Sequence, residues 1–337
     1  MIIQGKKLSA IDPIEASRLT ATHGYLIIED SGATPEEYAE WSLEYGYQNT
    51  FAGLWFEEKG FKNSEYFMRV TTDIIDGTGL RGPFAEDDVD WHSDLVPHIG
   101  AEEIVGFYGK TITFPTETWI CTSIPYFQTL SKDMQEFYKS LSIMLWPGPP
   151  VKDERLTNRA GNQRIYQIDE ATARGDTEAH AVRKTAMTTD TVKKDMIKSR
   201  DRSKIQLCPN IEEEIAEKFG EWRTRDHKPI KLVPNHPLGI EGLFFQPYEI
   251  TKFVKDNEIC TDSKEIYDIL WNELVCSDLY TYKHKWKEGD IMLSDQTTTI
   301  HRRPHTAMLE AKGKTRELLR SALWYKAQVR NHFNYVL

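Results

Sequence analysis

The chain of 337 residues has a formal net charge of -10 at pH 7, and 39% of its residues are hydrophobic and 28% charged. This composition is typical of a soluble globular protein with a sizeable core, and no apolar run approaches the roughly 18 to 20 residues needed to cross a bilayer. The acidic balance argues against a nucleic-acid partner, because phosphate contacts need a basic surface.

Two features bear on the compartment. Residues 1–10 lack the basic start and apolar centre of a signal peptide, which predicts a cytoplasmic protein with no membrane partner. The scattered cysteines favour reduced thiols over a disulfide framework or a zinc site. They are Cys121, Cys208, Cys260 and Cys276.

The N-terminal segments alternate between helix and strand. A short helix is predicted over residues 13–22 and a buried strand over 24–30. Thr34 with Glu37 forms the pattern of a capping box, which predicts a second helix that ends at Gly46. Aromatic residues at helical spacing in this segment indicate core packing.

Strands and loops predominate in the next part of the chain. A strand is predicted over residues 66–71 and a Gly- and Asp-rich loop over 76–90. Alternating apolar residues predict strands within 104–121, and residues 131–145 have a helical pattern. Prolines and glycine interrupt the chain at 146–150.

The segment from about 150 to 229 is the most polar part of the chain, and residues 191–204 carry a dense basic run. The basic run favours a solvated helix or mobile insertion over an anion-binding site. A polar segment inserted between two β-rich parts is also compatible with a lid over a pocket.

The C-terminal part returns to short apolar segments. The patterns predict strands over 240–246 and 280–286, a helix over 263–275, an apolar pair that leads to Asp295, and a final strand over 316–325. Many short strands with a few helices indicate a mainly β fold with flanking helices, a double-stranded β-helix or jelly roll. We expect a single domain over 1–337 with an insertion or lid at about 150–229.

A metal site is the first functional hypothesis. His92 and Asp94 are two residues apart, so in an extended segment both side chains point to one side. A third ligand could come from residues 295–301, which end in His301. Two histidines and one carboxylate make up the facial triad that holds ferrous iron and leaves the opposite face open. His305 competes with His301, but Pro304 would disturb an extended strand just before it.

Several short motifs accompany these residues in a defined order. They are residues 24–28 with 34–37, His92-Ser93-Asp94, Thr118-Trp119, His236-Pro237, 286–290, 295–301 and the pair Arg316 and Arg320. Together they resemble the taurine/2-oxoglutarate dioxygenase (TauD/TfdA-like) family of non-haem iron enzymes. The resemblance covers most of the chain apart from about 150–229.

The resemblance implies a role for each motif. It implies that His92, Asp94 and His301 bind Fe(II), and that Thr118 and Arg316 bind the far carboxylate of 2-oxoglutarate. Arg320 would assist Arg316 or hold an acidic group of the substrate. The gap between His301 and Arg316 is a few residues longer than in the taurine enzyme, which leaves the division of labour between the two arginines open.

The implied reaction converts 2-oxoglutarate and O2 to succinate and CO2 while a small, polar or acidic substrate is oxidised at an aliphatic C–H. Asp94 retains the carboxylate that halogenating relatives lack, so hydroxylation, or a related desaturation or cleavage, is favoured over halogenation. A zinc hydrolase on the same triad and a catalytically silent jelly-roll binding protein are the alternatives. The sequence leaves open whether the chain forms a homo-oligomer.

Overall fold

The computed structural model describes residues 1–50, 57–73, 89–94, 102–145, 229–247, 250–304 and 314–334. His305, Cys208 and all but the last residue of the polar insertion at about 150–229 lie outside these ranges. In the described part of the chain, every helix is too short or too polar to span a bilayer. Cys121, Cys260 and Cys276 carry free thiols.

The strands are numbered in chain order. They are β1 (Ile2–Gln4), β2 (Tyr25–Glu29), β3 (Gly46–Gln48), β4 (Met68–Thr71), β5 (Val89–His92), β6 (Ile104–Ile112), β7 (Glu117–Thr122), β8 (Leu141–Leu145), β9 (Ile230–Lys231), β10 (Ile250–Lys255), β11 (Glu258–Ile259), β12 (Thr281–Lys285), β13 (Ile291–Asp295), β14 (Thr299–Arg303) and β15 (Arg316–Tyr325).

The α-helices are α1 (Pro13–His23), α2 (Pro35–Tyr45), α3 (Ile124–Thr129), α4 (Lys132–Ser140), α5 (Ser263–Leu270) and α6 (Ala327–Asn334). The predicted capping box is confirmed, since the Glu37 amide donates to Thr34 Oγ1 and the Thr34 amide to Glu37 Oε2. Gly24 follows α1 with φ 79°, in the left-handed region that favours glycine.

Two sheets face each other across the centre of the protein. The larger sheet has the order β1-β2-β13-β6-β15-β3, with β4 also paired to β15, and the smaller has the order β12-β7-β14-β5. Val105 and Phe107 of β6 share a buried apolar cluster with Ile120 of β7. Only β1 and β2 are parallel among these neighbours. Mainly antiparallel sheets packed face to face confirm the predicted mainly β jelly roll with flanking helices.

Further layers cover the outer faces of both sheets. Helices α1 and α2 pack on the larger sheet, where Ala16 and Tyr38 join Leu293 of β13 in one buried cluster. A third sheet, β11-β10-β8-β9, lies with α5 on the outer side of the smaller sheet, where Phe253 of β10 and Ile300 of β14 share a second cluster. Inward- and outward-facing residues alternate along each strand, so the space between the two facing sheets is lined by one residue in two.

Three predicted elements differ from the structure. Residues 131–145 form α4 and then β8, because the buried Leu141 and Ile143 pair with β10 rather than continuing the helix. Residues 240–246 form no regular strand, since the Leu243 amide donates to the Ser123 hydroxyl and the Phe244 amide to the Leu232 carbonyl. The helix predicted over 263–275 ends at Leu270 and continues as a π-helical turn.

Some elements lay outside the sequence patterns altogether. Helix α3 and strand β10 were not predicted, and β15 is not the last ordered segment because α6 follows it. The Arg330 guanidinium of α6 donates two hydrogen bonds to the buried Glu103, at 2.8 and 2.7 Å. This long-range ion pair attaches α6 to the start of β6, and no local pattern reveals it.

The turn between β13 and β14 is organised by the fully buried carboxylate of Asp295. Its Oδ1 accepts hydrogen bonds from the backbone and side chains of Thr297 and Thr298, and its Oδ2 from Tyr325 and His236 at 2.8 Å each. The Leu238 amide donates to His236 Nδ1, so the ring hydrogen lies on Nε2 and points at Asp295. His236 is therefore structural, as its position beside Pro237 predicted.

We expect Asp295→Asn to lower the free energy of unfolding by about 3 kcal/mol, because an amide nitrogen would meet donors where a carboxylate oxygen now accepts. Burial alone would raise the pKa of Asp295, but His236 and the hydroxyl donors hold it below its usual value of 3.8. The stabilisation is thus complete above that value and is lost as the pH falls through the lower folded-state pKa. Urea unfolding between pH 7 and pH 3 measures both effects.

The matched control is Asp278→Asn, at a carboxylate whose side chain is 85% exposed. We expect this variant to unfold like the wild type at every pH. Equal stability of the Asp295→Asn variant and the wild type at pH 7 would contradict the role assigned to the buried carboxylate.

Candidate metal centre

The predicted metal ligands meet between the two facing sheets. Strands β5 and β14 are antiparallel neighbours, and His92 and His301 are direct partners in their register, with ring centroids 4.4 Å apart. Asp94 Oδ1 lies 3.7 Å from His92 Nε2, and its Oδ2 lies 3.9 Å from His301 Nε2. The Phe107 ring of the larger sheet approaches His301 at 5.6 Å, which places the site inside the jelly roll.

One ligand atom from each of His92, Asp94 and His301 lies within 4.8 Å of the others. Within the described ranges, this is the only group of three or more histidine, cysteine or acidic side chains close enough to hold a metal ion. The sequence predicted the same three residues, and the structure brings all of them together.

Asp94 reaches the site in a different way from the one its spacing indicated. Strand β5 ends at His92, so Asp94 lies in the turn beyond it. Two glutamines hold this turn: the Asp94 amide donates to Gln296 at 2.7 Å and the Ser93 amide to Gln246 at 2.8 Å. Neither glutamine was predicted to hold this turn, because both lie far from it in sequence, although Gln296 belongs to the motif 295–301.

The protonation states of His301 and Asp94 fit metal binding. Burial, together with the neighbouring His92, lowers the pKa of His301 to about 3, so the ring is neutral and keeps a lone pair at neutral pH. Burial alone would raise the pKa of Asp94, but the Arg320 guanidinium and the two imidazoles hold it well below its usual range. Neutral imidazoles and an ionised carboxylate are the forms that bind a divalent metal.

Arg320 lies between two carboxylates. Its Nε donates to Asp94 Oδ2 at 3.0 Å, and its Nη2 donates to the buried Glu102. Burial and the nearby Asp94 raise the pKa of Glu102, whereas Arg320 opposes that shift. Glu102 was not singled out from the sequence, although two acidic residues directly before the buried strand β6 are an unusual pattern that could have revealed it.

Thr118 and Arg316 form a second polar group on the same inner face. The Thr118 hydroxyl oxygen accepts from Arg316 Nη2 at 3.2 Å and from the Trp286 indole at 2.8 Å. In the described part of the chain the Arg316 guanidinium makes no ion pair with a carboxylate, and its buried Nε has no hydrogen-bond partner. Burial, and then the charge of Arg303, lowers the pKa of Arg316 well below its usual value.

A jelly roll with two histidines and one carboxylate between its sheets defines the class of double-stranded β-helix proteins with a facial-triad metal site. The family model for the taurine catabolism dioxygenase TauD, TfdA family matches residues 3–322. The chain belongs to this family, which confirms the resemblance inferred from its short motifs.

Solved structures share the fold. A taurine dioxygenase from Burkholderia xenovorans superposes with a TM-score of 0.55 at 16% identity, over 96% of this chain and 86% of that chain. AAD-2, in complex with Mn(II) and N-oxalylglycine, superposes with a TM-score of 0.54 at 14% identity, over 97% of this chain and 94% of that chain. At these identities the likeness establishes the fold alone. No curated protein sequence matches the chain.

Family membership also confirms the predicted class of enzyme, a 2-oxoglutarate-dependent dioxygenase, and its cofactors, Fe(II), 2-oxoglutarate and O2. The donor set agrees with this requirement, since two imidazoles and one carboxylate suit ferrous iron and leave coordination positions open.

We expect His301→Ala to weaken Mn(II) binding by more than the roughly 10- to 100-fold that loss of an outer-shell partner causes, because it removes a ligand. Titration of Mn(II) followed by electron paramagnetic resonance measures the affinity. His305→Ala is the matched control, and we expect it to bind Mn(II) like the wild type. If His305→Ala weakened Mn(II) binding and His301→Ala did not, the third ligand would be His305.

Proposed function

We propose that this protein is an Fe(II)- and 2-oxoglutarate-dependent dioxygenase that hydroxylates, or otherwise oxidises at an aliphatic C–H, a small, polar or acidic substrate. The observation that carries the proposal is the proximity of two sites on one inner face. His301 of β14 pairs with Ile120 of β7, and Thr118, which binds Arg316, is two residues from Ile120 on that strand. A metal site and a buried cation thus lie side by side.

His92, Asp94 and His301 are proposed to hold one face of the metal. Bound Fe(II) supplies the redox chemistry that couples the decarboxylation of 2-oxoglutarate, giving succinate and CO2, to oxidation of a substrate C–H bond. A facial triad leaves the opposite side of the metal open to cosubstrate and oxygen. Because Asp94 occupies the carboxylate position, no halide is needed to complete the ligand set, which supports hydroxylation over halogenation.

Arg316 and Thr118 are proposed to hold the far carboxylate of 2-oxoglutarate. A hydroxyl has one hydrogen to donate and two acceptor positions, and both acceptor positions of Thr118 are used by Arg316 and Trp286. Its hydrogen is therefore directed to a third group. A guanidinium can bind a carboxylate through two parallel hydrogen bonds, and the buried Nε of Arg316 is available for one of them.

Arg320 is proposed to orient the metal ligand Asp94. Its guanidinium donates to both Asp94 and Glu102, so it orients Asp94 rather than binding an anion of the cosubstrate. This proposed division assigns the cosubstrate to Arg316, which is one of the alternatives that the sequence left open.

A zinc hydrolase would use the same three ligands with a bound water. It would give no role to the buried Arg316 guanidinium beside Thr118, and that arrangement favours the dioxygenase. The two readings differ in the metal that supports activity and in the requirement for 2-oxoglutarate.

We expect anaerobic addition of Fe(II) and 2-oxoglutarate to the protein to produce the weak visible charge-transfer band of the metal-bound 2-oxo acid. Admission of oxygen in the presence of amino acids, sulfonates or small organic acids should then release succinate. Zn(II) in place of Fe(II) should give neither signal. A protein that binds Fe(II) but shows no band with 2-oxoglutarate would refute the proposed function.

We expect Arg316→Gln to weaken 2-oxoglutarate binding by about 10- to 100-fold, the effect of losing charge-assisted hydrogen bonds worth about 1.5–3 kcal/mol. Its affinity for Mn(II) should remain that of the wild type. Calorimetric titration with Mn(II), and then with 2-oxoglutarate, measures the two affinities separately.

Arg320→Gln provides the comparison. Because Arg320 contacts Asp94, this variant should weaken Mn(II) binding, and its effect on 2-oxoglutarate should disappear once Mn(II) is saturating. If both variants lost cosubstrate affinity alone, the division of roles between the two arginines would be wrong.

A further inference from the structure

We propose that Trp286 is a positioning residue of the cosubstrate site, whose indole N–H fixes the Thr118 hydroxyl so that the hydroxyl hydrogen is offered to the far carboxylate of 2-oxoglutarate. The proposal rests on the function proposed above and deepens it, because it names a residue that makes the site prefer a dicarboxylate. No chemical role was assigned to Trp286 from the sequence. Three features point to this role: the anchoring of its backbone, the packing of its ring and the acceptor of its indole hydrogen.

The backbone of Trp286 is anchored to β7 just beyond the end of β12. His284 of β12 is opposite Thr118 in the pairing of the two strands, and the Trp286 amide donates to the Thr116 carbonyl at 3.0 Å. Thr118 is two residues from Thr116 on the same strand, so it is the diagonal neighbour of Trp286. Aromatic side chains reach diagonal neighbours on an antiparallel pair. The register therefore directs the indole toward the Thr118 side chain.

The ring of Trp286 is held on several sides and is only 4% exposed. The His284 ring packs against it nearly at right angles, with the centroids 4.7 Å apart. Gly109 of β6 leaves room for it, since a Cβ there would lie 3.3 Å from the Trp286 ring and 2.5 Å from the Lys287 carbonyl oxygen. Trp286 also shares a buried apolar cluster with Ile120. A ring packed in this way keeps its N–H in one direction.

The indole hydrogen has the Thr118 hydroxyl oxygen as its acceptor. Trp286 Nε1 donates to Thr118 Oγ1 at 2.8 Å, and Arg316 Nη2 donates to the same atom at 3.2 Å. An indole N–H and a guanidinium are donors only, so neither can take the hydroxyl hydrogen in return. Within the described ranges, both hydrogen bonds of the Thr118 hydroxyl are ones that it accepts. A ligand that is an acceptor only, such as a carboxylate, completes the group.

This arrangement distinguishes the two ends of a 2-oxo acid. The first carboxylate and the keto oxygen are proposed to bind at the metal, and these contacts do not involve Thr118. Only the far carboxylate meets the hydroxyl hydrogen. Donation by Trp286 to the hydroxyl oxygen polarises the O–H bond and strengthens the hydrogen bond that the hydroxyl donates. Removal of the indole hydrogen should therefore weaken binding only of ligands that carry the far carboxylate.

The test is calorimetric titration of the Mn(II)-loaded full chain with 2-oxoglutarate and with 2-oxopentanoate, which has a methyl group in place of the far carboxylate. We expect Trp286→Phe to weaken 2-oxoglutarate binding by about 2- to 10-fold, the effect of losing one hydrogen bond, and to leave 2-oxopentanoate binding unchanged. Trp119→Phe is the matched control. Trp119 follows Thr118 on β7 and points to the opposite face, where its indole donates to Glu117 at 2.7 Å. This variant should bind both ligands like the wild type.

A double-mutant cycle separates the hydrogen bond from packing. We expect Thr118→Val to weaken 2-oxoglutarate binding by about 10-fold, because the hydrogen bond to the charged carboxylate is lost. In the Thr118→Val background, Trp286→Phe should cause no further loss, since the indole then has no hydroxyl to position. Residues that act through one contact show this kind of non-additivity. A purely structural effect of the smaller ring would persist in both backgrounds.

The outcomes distinguish this proposal from the function on which it rests. If Trp286→Phe binds 2-oxoglutarate as tightly as the wild type, weakens both ligands equally, or acts equally in the Thr118→Val background, the proposal is refuted. If Trp286→Phe does not fold, Thr118→Val alone still decides, because an unchanged ratio of the two affinities in that variant refutes the role of the hydroxyl hydrogen. If the wild type with Mn(II) does not bind 2-oxoglutarate at all, the proposed function itself fails.

Discussion

The site depends on the position of β14 between β5 and β7. Its register with β5 brings His301 opposite His92, and its register with β7 sets His301 against Ile120, two residues from Thr118 on the same strand. A shift by one residue would turn every inward side chain of β14 to the outer face. The positions of the two candidate histidine ligands and of Thr118 therefore depend on one set of hydrogen bonds between strands.

A layer of buried polar groups keeps this register in place. Asp295 closes the turn before β14 with hydrogen bonds to both of its carboxylate oxygens. Gln296, the next residue, accepts from the Asp94 amide, while Gln246 holds Ser93. The turn between β13 and β14 thus positions two residues of the site. It positions His301 because β14 follows the turn, and it positions Asp94 because Gln296 accepts from the Asp94 amide. Outer-shell partners of this kind orient metal ligands and influence their affinity.

The charges inside the jelly roll divide the site into two ends. At the candidate metal site, the Arg320 guanidinium contacts the carboxyl groups of Asp94 and Glu102. At the other end, Arg316 makes its described side-chain hydrogen bond to a neutral hydroxyl and has Arg303 as a neighbouring like charge. Within the described residues, the Arg316 guanidinium therefore has no carboxylate partner, whereas Arg320 has one in Asp94. Such a polarity orients a ligand that carries a metal-binding group at one end and a carboxylate at the other.

The sequence by itself determined the family and singled out the three candidate metal ligands and the pair Thr118 and Arg316, because these residues stand in short motifs with a defined order. It also determined α1, α2 and the strands β2, β12 and β15, whose local periodicity agrees with their environment. Only the tertiary structure decided that Asp94 lies beyond its strand, that Glu102 and two glutamines support the site, and that residues 141–145 form a strand. Each of these features depends on partners distant in the chain. A long-range hydrogen bond does not change the local pattern of apolar and polar residues, so that pattern cannot predict it.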